Sequence, residues 1–172
     1  MDFPARVLER ASAIDLVSFD VDGVLTDGKL YYTDQGEEIK AFHVQDGSAI
    51  KLLEQNGIRT AIITGRRSPM VSRRAQELGI SYVFQGVDDK VQCLADLCEN
   101  LRLAPAQIAH VGDDLPDLGL FRFVGLGIGV PNGHPTALAA ADYVTRLAGG
   151  QGVAREICEL LLRARGCWDY DG

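Results

Sequence analysis

The chain has 172 residues, with 24 Asp and Glu against 17 Lys and Arg, a formal net charge of −7. Hydrophobic residues at 47% and charged residues at 24% are globular proportions, which excludes a disordered or low-complexity chain. No apolar stretch reaches the ~18 residues of a membrane span, and an acidic balance argues against binding a nucleic-acid duplex through its phosphates. The length suits a single domain over residues 1–172, able to bury about two-thirds of its unfolded surface.

In chain order, residues 14–20 (IDLVSFD) are an apolar run ending in a carboxylate, the pattern of a buried parallel strand. Residues 28–42 break the expected alternation: two β-rich runs flank Asp34-Gln35-Gly36, predicting a hairpin flap with a three-residue connection. An isolated hairpin is marginal in water, so this one is expected to pack on something, plausibly another subunit. Residues 48–56 predict a helix closed by Gly57, and 58–64 a strand. A helix over 69–78 stops at Gly79, and 81–84 give a short strand. Residues 90–101 place Val91, Leu94, Leu97, Cys98 and Leu101 on one helical face. Strands are expected at 108–112, 124–130 and 143–145, and a last helix from about 152 to 165. The alternation predicts a doubly wound α/β fold: a Rossmann-like parallel sheet with helices on both faces.

The four cysteines, Cys93, Cys98, Cys158 and Cys167, form no CxxC pair, and His43, His110 and His134 lack ligand spacing to them. The N-terminus has no apolar core behind a basic start, so no secretory signal is read there. Reduced thiols in a cytoplasmic protein are the expectation. His110 lies within a strand pattern and reads as a satisfied core residue. Gly125-x-Gly127-x-Gly129 opens no helix and is not a dinucleotide fingerprint.

In such sheets ligands gather at the carboxyl ends of the strands. The predicted strands end in Asp20-Val21-Asp22-Gly23, in Thr64-Gly65-Arg66, in a segment leading to Lys90, and in Gly112-Asp113-Asp114-Leu115-Pro116-Asp117. Carboxylates crowded at one rim stay ionised only beside a cation, and an all-oxygen donor set favours Mg²⁺. A carboxylate nucleophile, a second carboxylate to manage protons, a hydroxyl and a fixed ammonium together are what phosphoryl transfer needs.

The set Asp20-x-Asp22-Gly23, Thr64, Lys90 and Gly112-Asp113-Asp114-x-x-Asp117 resembles the four motifs of the haloacid dehalogenase superfamily of phosphohydrolases. The runs DVDGVLTDG, KAF-x-V-x-DG, IITGR, VGDDLPD, ADYVTR and AGG-x-G-x-x-RE are similar to a capless group within it that acts on sugar-acid phosphates. This resemblance implies hydrolysis of 3-deoxy-D-manno-octulosonate 8-phosphate to sugar acid and phosphate in the cytoplasm, without a cap domain. By resemblance, Asp20 is the nucleophile that carries an aspartyl-phosphate, and Asp22 is the acid and base. Mg²⁺ is held by the carboxylates of Asp20 and Asp113 and the backbone carbonyl of Asp22. Asp114 and Asp117 orient what surrounds the ion, while Thr64 and Lys90 hold the phosphoryl group. The sugar acid is expected on Asp22, His43, Val44, Gln45, Asp46, Gly47, Lys51, Arg66, Arg74 and Lys90. A homotetramer is implied, with a neighbouring subunit closing the active site.

His43 and Gln45 depart from the Asn-Val-Arg-Asp-Gly pattern of that group, which opens the identity of the sugar. Arg66 favours the eight-carbon acid, since phosphatases of nine-carbon sugar acids tend to carry Glu there. The alternatives are such a nine-carbon phosphatase, a phospho-accepting receiver-like module, or an idle subunit domain. The order of the motifs, with DxD first and GDDxxD after the lysine, is that of the phosphatases.

Overall fold

A computed structural model describes residues 2–170. Its main sheet contains β1 (Leu16–Phe19), β4 (Arg59–Thr64), β5 (Tyr82–Gln85), β6 (Ile108–Gly112), β7 (Leu126–Gly129) and β8 (Tyr143–Val144), in the order β5-β4-β1-β6-β7-β8. Every pairing in it is parallel. Strand order runs one way from β1 to β5 and the other way from β6 to β8, so a crevice opens where β1 and β6 end side by side.

The sheet buries apolar side chains on both faces, which explains its continuous Val, Ile and Leu runs. On one face Val17, Phe19 and Ile62 pack against α1 (Ala5–Ala11), α2 (Val44–Gln55), α3 (Pro69–Leu78) and α7 (Val153–Ala164). On the other, Leu16, Ala61 and Ile63 meet α4 (Lys90–Leu101) and α5 (Leu118–Phe123). A short α6 (Pro135–Ala140) leads to β8. No helix among the described residues is long and apolar enough to cross a membrane.

The expected alternation and parallel sheet are present, with no cap among the described residues. Helix α3 has the expected bounds and ends on Gly79 at φ 76°, the left-handed cap that glycine adopts without strain. Helix α2 begins four residues before the expected start, at Val44, so the segment 44–47 is helix rather than loop. Gly47 lies within it, its bare Cα leaving room for the Arg74 guanidinium, where a Cβ would fall 2.2 Å from Nη2. The short helices α1, α5 and α6 were not anticipated.

The hairpin is formed by β2 (Tyr31–Tyr32) and β3 (Glu38–Ile39). The Thr33 amide donates to the Glu37 carbonyl at 2.9 Å, leaving Asp34, Gln35 and Gly36 as the predicted three-residue tip. Several of its apolar side chains are uncovered in the single chain: Leu30, Tyr31, Tyr32 and Ile39 are 42–58% exposed.

Candidate active site

The Asp20 amide donates to the Val111 carbonyl at 2.9 Å, which locks the end of β1 to β6. The Val21 amide then donates to Asp20 Oδ1 at 2.6 Å. The chain turns away at Gly23, at φ 88°, and the Thr26 amide closes the wide turn on the Val21 carbonyl at 3.0 Å. The bare Cα of Gly23 leaves room for the Asp113 carboxylate, since a Cβ there would lie 1.9 Å from Asp113 Oδ2. The Asn132 amide group adds a second restraint by donating to the Gly23 carbonyl at 2.8 Å.

The Gly112-Asp113-Asp114-x-x-Asp117 loop is built around the Asp117 side chain, which is fully buried. Asp117 Oδ2 accepts from the amides of Asp113 (3.1 Å) and Asp114 (3.2 Å). Its Oδ1 faces Lys90 Nζ at 2.7 Å and His110 Nε2 at 3.2 Å. Burial raises the Asp117 pKa, but the bond to His110 and the charge of Lys90 outweigh it and hold the group well below the usual carboxylate range. Lys90 behaves inversely: burial alone lowers it, and Asp20 and Asp117 together raise it. The Lys90 ammonium also donates to Asp20 Oδ2 at 2.7 Å.

Carboxylate oxygens of Asp20, Asp113 and Asp117 lie within 4.8 Å of one another. Asp117 is occupied by Lys90, His110 and two amides, so it orients the others. Asp20 and Asp113 remain as oxygen donors, and they fit a hard divalent cation. Asp113 carries the mark of an uncompensated anion: burial, then the charges of Asp20, Asp117 and Asp114, push it up to about 7.

A cavity of about 460 Å³ opens over this cluster and is lined by Asp20, Asp22, Thr64, Arg66, Lys90, Asp113 and Asp114, among others. All four expected catalytic residues therefore meet in one place, together with Arg66. The remaining expected substrate residues lie elsewhere in this chain. His43, Asp46, Gly47 and Arg74 line a narrow crevice of about 10 Å³ between α2 and α3, room for one water molecule and not a sugar. Asp46 is 3% exposed, and its Oδ1 accepts from the Arg155 amide at 3.0 Å, capping the start of α7. Arg74 lies 6.0 Å over the Phe42 ring and 3.4 Å from Glu77. Val44, Gln45 and Lys51 are on the outside of α2, exposed. His110 is a buried strand residue, as expected, with Ser18 Oγ 2.8 Å from its Nδ1.

The site also holds side chains that sequence reasoning missed. Lys40 on the hairpin pairs with Asp22 Oδ1, and Glu38 takes Arg66 Nη2 at 2.8 Å. The one available signal is that Glu38 and Lys40 stand two apart around the exposed Ile39 at the end of the hairpin, a spacing that puts both side chains on one side of extended chain.

The haloacid dehalogenase-like hydrolase family model matches residues 83–157. The 3-deoxy-D-manno-octulosonate 8-phosphate phosphatase of Escherichia coli K12 is 47% identical over 165 residues, 96% of this chain and 88% of its own length. The chain belongs to the haloacid dehalogenase-like hydrolases. Among solved structures, the octulosonate 8-phosphate phosphatase of Moraxella catarrhalis, in complex with magnesium, phosphate and the sugar acid, superposes with a TM-score of 0.94 at 48% identity. That match covers 97% of this chain and 96% of the other. The Yersinia pestis enzyme superposes with a TM-score of 0.93 at 45% identity, covering 95% and 88%.

Proposed function

We propose that this chain is a Mg²⁺-dependent phosphatase that hydrolyses 3-deoxy-D-manno-octulosonate 8-phosphate to the free sugar acid and phosphate. The observation that carries the reading is the convergence of Asp20, Asp22, Thr64, Lys90 and Asp113 on one cavity, in a chain closely related to phosphatases of that substrate.

Asp20 forms a bond to phosphorus as the bond from phosphorus to the sugar oxygen breaks, and Asp22 gives that oxygen a proton. Asp22 next takes a proton from water, whose oxygen bonds to phosphorus and frees Asp20. Lys90 and Thr64 hold the phosphoryl oxygens; the contact of Lys90 with Asp20 Oδ2 puts that charge beside the nucleophile. Mg²⁺, held by Asp20, Asp113 and the Asp22 carbonyl, neutralises the charge that gathers on the phosphoryl group. Arg66, 42% exposed at the cavity rim, offers a fork for the acid end of the substrate.

The exposed apolar side chains of the hairpin, and Val44 at 78% exposure at the start of α2, support assembly into a homotetramer in which a neighbour closes the cavity. Four free cysteines agree with a cytoplasmic location.

A panel of phosphorylated sugars and sugar acids tests the substrate. The kcat/KM for octulosonate 8-phosphate is expected to exceed that for hexose phosphates by at least about 10²-fold. Equal values would remove the narrow assignment, and a preference for a nine-carbon acid would replace it. Light scattering tests the assembly, and a monomer at assay concentration would overturn it.

A further inference from the structure

Glu38 and Lys40 flank Ile39 at the end of the hairpin's second strand; Ile39 is exposed, while the two charged side chains turn toward Asp22 and Arg66 at the cavity wall. The Lys40 side chain is 3% exposed, and its ammonium meets Asp22 Oδ1 and, at 3.5 Å, Glu38 Oε1. Arg66 closes a ring of alternating charge, with Nη2 2.8 Å from Glu38 Oε1 and Nη1 3.5 Å from Asp22 Oδ2. Glu38 Oε2 accepts from the Ser68 hydroxyl at 2.9 Å, and Ser68 is the residue that opens α3. The hairpin is therefore anchored to the body of the domain by polar contacts at the cavity wall. An ammonium so far out of water is held in place by the carboxylates that compensate it.

We infer that Lys40 is the positioning residue for Asp22: it holds Oδ1, so that Oδ2 handles the proton of the leaving oxygen. The inference rests on the reading of Asp22 as the acid. Oδ1 can accept from Lys40 both in the carboxylate and, more weakly, in the carboxylic acid, so the contact is available through the whole cycle. Oδ2 has a loose ionic neighbour in Arg66, beyond a strong hydrogen bond, and is left for chemistry. As the phosphorus-oxygen bond to the sugar breaks and the bond to Asp20 forms, the Oδ2–H proton passes to the departing oxygen. Glu38 acts one step further out, spacing Lys40 from Arg66. The hairpin thus serves catalysis within its own subunit, in addition to any contact made by its outer face.

Leaving groups of different basicity separate this role from a merely structural one. An alkyl phosphate needs a proton on its departing oxygen, whereas p-nitrophenyl phosphate expels a phenolate that needs none. The kcat/KM reports the steps through leaving-group departure. Lys40→Met is expected to lower it about 10²-fold for octulosonate 8-phosphate and for glucose 6-phosphate, and less than about 3-fold for p-nitrophenyl phosphate. Lys40→Arg should recover most of the loss. Glu38→Gln, which keeps Lys40, should give a smaller loss of about 10-fold, again confined to the alkyl esters; it stands in if Lys40→Met fails to fold. Equal losses with both ester types, or no loss with the alkyl esters, overturn the inference. If the wild type does not favour octulosonate 8-phosphate, the substrate assignment fails, yet the contrast is still read with glucose 6-phosphate. If octulosonate 8-phosphate is favoured and the contrast is absent, this inference alone fails.

Discussion

Lys90 Nζ lies 2.7 Å from Asp20 Oδ2, placing the cation proposed to bind the phosphoryl group directly against the proposed nucleophile. The two come from ends of different elements, β1 and α4, and 70 residues apart in sequence. Asp117 holds the other side of the ammonium at the same distance, so the cation is fixed before substrate arrives. Such preorganisation avoids reorientation of the charge during the reaction.

Replacing Lys90 by Met should lower kcat/KM by about 10³-fold. Lys90→Arg should recover little, because a planar fork does not replace a point charge between two carboxylates in a space this closed. Steady-state phosphate release checks both variants. An Arg variant at wild-type rate would show that charge without position suffices.

Asp113 links stability to pH and metal. Its pKa of about 7 in the folded protein exceeds the ordinary carboxylate value near 4 in the unfolded chain, so the metal-free folded state binds the extra proton. The stability this group contributes is complete below about pH 4 and is lost as pH rises through about 7. The loss is at most about 4 kcal/mol, reduced by whatever water reaches the site. In EDTA the melting temperature should therefore fall between pH 5.5 and 8, and Mg²⁺ should restore it at pH 8. Asp113→Asn should flatten the dependence. Melts insensitive to Mg²⁺ at pH 8 would contradict the assignment of Asp113 as a ligand.

Gly23→Ala should weaken metal binding and lower activity with it. A Cβ would meet Asp113 Oδ2 at 1.9 Å, and φ of 88° strains any residue with a side chain. Calorimetric titration with Mn²⁺ is expected to show a loss of at least about 10-fold in affinity. Wild-type affinity would mean that the loop relaxes at no cost.

Asp46→Ala tests whether this residue belongs to the substrate or to the fold. Removing the cap of α7 should cost about 1–2 kcal/mol in urea unfolding while kcat/KM stays within about 3-fold of wild type. A large fall in kcat/KM with unchanged stability would return Asp46 to a substrate role, for instance across a subunit contact.

The contrast between Asp20 and Asp46 shows where sequence reasoning reaches. Asp20, Thr64, Lys90 and Asp113 were legible because each sits at the end of a strand or the start of the helix that follows, and strand order brings such ends together. Asp46 stands in a motif beside the site, but its partner is an amide 109 residues away, which no local spacing reveals. Lys40 stayed hidden for a related reason: it follows a two-residue strand that has no period of its own, and the side it turns inward depends on how the hairpin docks. Helix α2 starts four residues earlier than the periodic apolar run shows, because its first turn, Val44–Gly47, is too short to show a period of its own.

Phosphate release from octulosonate 8-phosphate by wild type and Asp20→Asn, side by side in saturating Mg²⁺, tests the central claim most directly. The amide lacks the charge to form a bond to phosphorus, so the variant should fall by at least about 10⁴-fold while keeping the wild-type melting temperature. A variant that releases phosphate at the wild-type rate would contradict Asp20 as the nucleophile, and with it the account of the site.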